Sequence, residues 1–153
     1  MTTTIHATTV ALSGHGVLLR GESGSGKSDL ALRLLDDARG DVRLVADDYT
    51  DLSLRDGALW AAAPVTIAGL LEVRGLGVLR LPVERVQAEG ARVRLCIDLV
   101  PSDTVERLPA PAAVTLLPDQ VVPLVRLDPF AASAPAKVRL AVGLAVGDIL
   151  PAP

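Results

Sequence analysis

Apolar positions along this chain fall in short alternating runs broken by glycine, proline and aspartate, with one clear change to helical spacing. Ile5 to Leu12 and Val17 to Arg20 are short and β-prone, and Ser13-Gly14-His15-Gly16 between them reads as a tight turn, so the pattern predicts a hairpin. A glycine- and serine-rich segment follows, Gly21 to Gly26. Beyond it Leu30, Ala31, Leu34, Leu35 and Ala38 recur at helical spacing, which predicts a helix over Lys27 to Ala38. Val42 to Ala46 is a short apolar strand ending in Asp47-Asp48. Thr50 to Leu54 and Ala58 to Ala62 then flank Arg55-Asp56-Gly57, a strong signal for two antiparallel strands.

Further along, Leu70 to Val73 and Val78 to Leu81 read as strand pieces around Arg74-Gly75-Leu76-Gly77, and Ala91 to Val100 as a longer strand. From Pro101 to Pro135 prolines punctuate short apolar runs, notably Val114 to Leu117 and Val121 to Leu127, and Ala136 to Val146 reads as a final helix. No repeat or linker interrupts the pattern, so residues 1–153 are expected to form a single α/β domain with a mixed sheet.

Composition sharpens this picture. Half of the residues are apolar but only 2% are aromatic, namely Tyr49, Trp60 and Phe130, so the core must be aliphatic. The lone cysteine, Cys96, cannot form an intrachain disulfide and reads as a small buried hydrophobe, which suits a reducing compartment. The net charge is −3, without a long run of one sign, which argues against nucleic acid as a partner. There is no basic, then apolar, leader, and no apolar run approaches the roughly 18 residues of a membrane span. The expectation is a cytoplasmic protein with no membrane partner. Only two of the 15 basic residues are lysines, Lys27 and Lys137.

Lys27 lies in the segment that carries most of the chemistry. Gly21-Glu22-Ser23-Gly24-Ser25-Gly26-Lys27-Ser28 matches the phosphate-binding loop, with the required strand before it and helix after it. Small residues let consecutive backbone N–H groups converge on phosphate oxygens at a helix N-terminus, where free donors and the helix dipole favour an anion. Lys27 adds a compact positive charge, which the forked guanidinium of arginine would not replace. Ser28 is placed to ligate Mg²⁺ bridging two phosphates. A nucleotide or pyrophosphate, with Mg²⁺, is the implied ligand.

Such a loop needs a carboxylate at a neighbouring strand end. Asp36-Asp37, near the helix end, reads as solvated surface. Asp47-Asp48 is delivered by a buried strand 20 residues beyond Lys27. Two adjacent carboxylates raise each other's proton affinity unless a cation intervenes, so one can hold the metal while the other acts as base. In an extended Leu71-Glu72-Val73-Arg74-Gly75-Leu76-Gly77, Glu72 and Arg74 share a face and the glycines permit close approach of backbone. His6 and His15 by themselves read as bystanders. With three aromatic residues an aromatic clamp on adenine is not expected, and weak base selectivity follows. The chain contains no asparagine, which excludes the guanine-reading motif of GTPases.

Taken together, His6, Gly21 to Ser28, Leu44-Val45-Ala46-Asp47-Asp48 and Glu72-Val73-Arg74-Gly75-Leu76-Gly77, in this order, resemble the catalytic domain of bacterial HPr kinase/phosphorylase, in its short proteobacterial form. The resemblance is strong over residues 5 to 82 and weakens thereafter. It implies a P-loop-containing kinase domain related to phosphoenolpyruvate carboxykinase, acting on a serine of the carrier protein HPr, with a reverse reaction that uses inorganic phosphate. By resemblance, the loop from Gly21 to Ser28 holds the nucleotide, Ser28, Glu72 and Asp48 serve the metal, and Asp47 is the general base. His6 and Arg74 belong by the same resemblance to the phosphate environment, and the family's hexamer makes a homo-oligomer the expectation.

This sequence departs from the family pattern near its end. The family's Pro-Gly-Arg-Asn loop has Ser133-Ala134-Pro135-Ala136-Lys137-Val138-Arg139 in its place, where Lys137 is expected at the arginine position. A weak or absent phosphorylase activity follows from that difference. The reading from another class is a non-catalytic regulator that senses ATP through the same loop.

Overall fold

In the computed structural model, which describes residues 1–153, Ser13 and Gly14 both adopt left-handed backbone, with φ of 49° and 83°. Two such residues in succession form the turn whose twist matches a hairpin. They join β2 (Thr8–Leu12) to β3 (His15–Arg20), and β2 is preceded by β1 (Thr3–His6). The run predicted from Ile5 to Leu12 is thus two strands broken at Ala7. The same turn chemistry recurs at Asp56 and Gly57, φ 52° and 76°, between β5 (Tyr49–Arg55) and β6 (Ala58–Ala62).

Helix α1 spans Lys27–Leu35, ending three residues before the predicted Ala38. Asp37 explains the early stop: its side chain accepts the N–H of Arg39 at 2.9 Å, a local turn that competes with continued helix. The remaining elements are β4 (Val42–Ala46), the hairpin of β7 (Leu70–Val73) and β8 (Gly77–Arg80), then β9 (Ala91–Leu99), β10 (Ala112–Leu117), β11 (Gln120–Leu127) and α2 (Ala134–Val146). Helix α2 starts two residues before its predicted beginning, with Pro135 in the first turn, where a missing N–H does no harm.

Nine strands form one mixed sheet, seven of them along the path β1-β5-β6-β9-β3-β2-β4. Strand β9 runs parallel to β3 on one edge; its other edge takes β6 antiparallel near Ala91 and β11 parallel from Cys96 to Leu99. Strand β10 pairs outside β11, and β7 and β8 form a separate two-stranded sheet. Alternating residues feed two aliphatic cores, as the near absence of aromatics requires. Val10, Val17, Leu19, Leu95 and Ile97 meet Leu30, Leu34, Val138 and Val142 beneath the helices, whereas Ala11, Leu18, Leu52, Leu59 and Cys96 fill the opposite face. The parallel strands β3, β9 and β11 therefore end together, and the segments following them, Gly21–Gly26, Val100–Ser102 and Asp128–Phe130, cluster at one sheet edge. In open α/β sheets that edge is where ligands bind.

Candidate active site

The glycine loop lies between β3 and α1 and exposes the helix N-terminus. Gly26, with φ of 95°, takes a left-handed conformation that a β-carbon would strain, and no side chain caps the first turn of α1. Its backbone donors are left for an anion. At the other end of the loop, Ser25 packs a buried hydroxyl, without a hydrogen-bond partner, against Gly21; a Cβ at position 21 would lie 2.4 Å from that oxygen. Lys27 is only 5% exposed, and its Nζ donates to the carbonyls of Gly21 and Glu22 at 2.8 and 2.9 Å. Burial lowers the pKa of its ammonium, an effect that Asp48 and Asp47 oppose.

The two adjacent aspartates have different surroundings. Asp47 is buried, and its carboxylate is already engaged: Oδ1 accepts the hydroxyls of Ser28 at 2.6 Å and Thr8 at 3.1 Å, and Oδ2 accepts the backbone N–H of Glu72 at 2.9 Å. Asp48 turns outward through a left-handed backbone, φ 67°, which aspartate tolerates better than most residues and which often marks a functional position. Its N–H is held by Thr8 Oγ1 at 3.1 Å, and its Oδ1 lies 2.7 Å from His6 Nε2, with the Asp48 side chain 52% exposed. The His6 ring is in turn 5.4 Å from that of Tyr49.

A cavity of about 550 Å³ unites much of this set. Ser23, Gly24, Gly26, Lys27 and Ser28 line it from the loop, Asp48 from the end of β4, and Glu72 and Arg74 from the β7–β8 hairpin. Arg74 lies in the turn beyond β7 rather than on the strand, yet it faces the same space as Glu72. A second cavity of about 790 Å³ lies across the loop, bordered by Gly21, Glu22 and Ser25 together with the ends of β9 and β11. His6 touches the first cavity through Asp48. Lys137 lies outside both: it is exposed on the first turns of α2, its N–H bonded to the Ser133 carbonyl at 2.9 Å. The segment expected to replace the family's loop is therefore largely helix.

Thr8 and Phe130 are site residues that sequence reasoning passed over. Thr8 sits within a run of threonines whose pattern reports only a strand, and nothing local signals that its hydroxyl supports both aspartates. Phe130 had one available signal, its rarity as an aromatic.

The oxygen-only donors beside Lys27 fit Mg²⁺. No group of three or more His, Cys, Asp or Glu side chains forms a cage, but Mg²⁺ in nucleotide sites keeps waters and phosphate oxygens and takes few protein ligands. The Ser28 hydroxyl, fixed by Asp47, and the carboxylate of Glu72, which lines the same cavity, are the groups that would hold it.

Comparison with known proteins agrees with the geometry. The family model described as HPr Serine kinase C-terminal domain matches residues 1–133. The HPr kinase/phosphorylase of Bordetella pertussis is 42% identical over 115 residues, covering 71% of this chain and 36% of that protein. That of Clostridium tetani is 46% identical over 80 residues, covering 52% of this chain and 25% of that protein. The chain thus spans well under half the length of these curated relatives. Among solved structures, the Hpr(Ser) kinase/phosphatase from Coxiella burnetii superposes with a TM-score of 0.77 at 28% identity, covering 92% of this chain and 93% of that one.

Proposed function

The chain belongs to the HPr Serine kinase C-terminal domain family, and from that premise we propose that it transfers the terminal phosphate of ATP, with Mg²⁺, to a serine of HPr or an HPr-like carrier protein. The observation that carries this reading is the division of labour between the paired aspartates around Ser28 and His6. A purely sensory site needs the loop but has no use for an open carboxylate held by a histidine beside the terminal-phosphate position.

The exposure of each carboxylate supports a reversal of the roles first expected for the two aspartates. Asp47 spends its lone pairs on Ser28, Thr8 and Glu72, so it orients the metal-binding hydroxyl. Asp48 reaches the cavity and serves as the base. His6 Nε2 donates to Asp48 Oδ1 and aims the other carboxylate oxygen at the incoming serine. As the serine oxygen bonds to the terminal phosphorus, its proton passes to Asp48 and the bond to the leaving ADP oxygen breaks. Asp48 then loses the proton to solvent. Mg²⁺ held by Ser28 and Glu72 would neutralise charge on the phosphates; Lys27, the loop N–H groups and Arg74 contribute positive potential from the protein. Lys137, which lines neither cavity, has no place in this scheme.

ATP radiolabelled at its terminal phosphate, incubated with Mg²⁺ and HPr, tests the proposal. Wild-type protein is expected to label a serine, and Asp48→Asn to lower the rate about a hundredfold with ATP affinity little changed. Absence of label with wild-type protein overturns the proposal, and full transfer by Asp48→Asn returns the base to Asp47.

A further inference from the structure

Phe130 is one of three aromatic residues in the chain and is 68% exposed, yet its backbone is held firmly. Asp128 Oδ1 accepts the Phe130 N–H at 2.9 Å, which fixes the turn after β11. The Pro129 carbonyl accepts a hydrogen bond from Arg33 Nη2, and Arg33 is in turn braced by Asp29 one helical turn away, at 3.0 Å. The ring lies over the phosphate loop: a Cβ built on Gly26 would be 3.1 Å from Phe130 Cζ. The helix that presents its N-terminus to phosphates therefore also anchors the ring. Exposing an apolar ring gains nothing for the free protein, so the two anchors point to a ligand that covers it.

The ring stands where the two cavities meet, since both are lined by Ser23, Gly24 and Phe130. The first cavity contains Asp48, Glu72 and Arg74 and, under the proposed function, takes the terminal phosphate and the carrier serine. The rest of the nucleotide must leave the loop on another side. The second cavity, at about 790 Å³, is within the size range of small-molecule sites.

We infer that Phe130 is the stacking platform for the base of the bound nucleotide, with the nucleoside lying in the second cavity; this rests on the reading of the loop as an ATP site. The walls of that cavity also set its selectivity. Asp98 is closed by Arg20 through two hydrogen bonds, at 2.8 and 3.1 Å, and one oxygen of Asp128 is engaged by Phe130 itself. Glu22 and the second oxygen of Asp128 are the carboxylate groups left in the lining, so the base is held chiefly by one aromatic face, which any base can occupy.

Calorimetric titration of wild type, Phe130→Ala and Phe130→Trp with ATP and with inorganic tripolyphosphate, both with Mg²⁺, tests the inference. Wild type is expected to bind ATP more tightly than tripolyphosphate. Phe130→Ala should lose about fivefold to a hundredfold in ATP affinity while tripolyphosphate binding stays within about twofold. Phe130→Trp should keep ATP affinity, with a tryptophan fluorescence change on ATP addition that wild type lacks. Equal losses for both ligands in Phe130→Ala, or unchanged ATP affinity, would overturn the stacking role and leave the phosphate loop intact. Failure of wild type to bind either ligand would overturn the ATP site itself and this inference with it.

Discussion

Lys27 shows how much a single residue can carry and how its setting changes what is expected of it. Its ammonium is enclosed by two carbonyls of its own loop, a space shaped for a compact cation rather than for a planar fork. Lys27→Arg is therefore expected to abolish phosphate transfer and to weaken ATP binding more than tenfold. Lys137→Arg, on the exposed face of α2, should leave both nearly unchanged; activity assays on the two variants side by side check this contrast. The loop was legible in the sequence because its spacing is a local pattern. The difference between Asp47 and Asp48 was not, because it depends on a hydroxyl 39 residues away in Thr8 and on a backbone N–H 25 residues away in Glu72. Cys96 could be read from its apolar neighbours alone. Burial pushes its thiol up to about 12, so folded protein should resist thiol-specific alkylation at neutral pH and react only when unfolded. Rapid modification of native protein would contradict its place in the core.

At the scale of elements, the turns left the clearest traces in the sequence, since Ser13-Gly14 and Asp56-Gly57 supply the positive φ angles that tight hairpins require. Helix ends were less legible. The stop of α1 follows from a side-chain bond of Asp37 and the start of α2 has Pro135 in its first turn, neither of which periodicity reports. Helix α2 is also tied to the strand layer by Arg139, whose guanidinium donates to both carboxylate oxygens of Asp41 at 2.9 and 2.8 Å. The Arg139 hydrogen bond holds the Asp41 carboxyl below its ordinary 3.8, which makes the link pH-dependent. Because the folded-state value is depressed, the stabilisation is fully present above about pH 4 and is lost as the pH falls through the folded-state value. Asp41→Asn should lower stability by about 1 kcal/mol near neutral pH, and by much less at low pH. Denaturant melts of both proteins across that range check it; a difference that does not change with pH would contradict the role of the ion pair.

The whole molecule places chemistry where the ends of three parallel strands meet. The mixed sheet could be anticipated from the order of strand, loop, helix and hairpins, but the fork at β9 could not. Strands β6 and β11 share one edge of β9 through pairings distant in sequence, and it is β11 that delivers Phe130 to the rim of the phosphate loop. The likeness in fold to the Coxiella burnetii kinase/phosphatase extends over nearly all of both chains, and in this chain the loop, Asp48 and the β7–β8 hairpin surround one cavity. Under the proposed function, this architecture is arranged to move a phosphate to a protein serine and not only to bind a nucleotide. Phosphosite mapping by mass spectrometry of HPr, after incubation with the protein, ATP and Mg²⁺, tests that claim most directly. One phosphate on a single serine is expected, formed about a hundredfold more slowly when Asp48→Asn replaces the wild-type protein. Unmodified HPr in the presence of protein that has demonstrably bound ATP would contradict it.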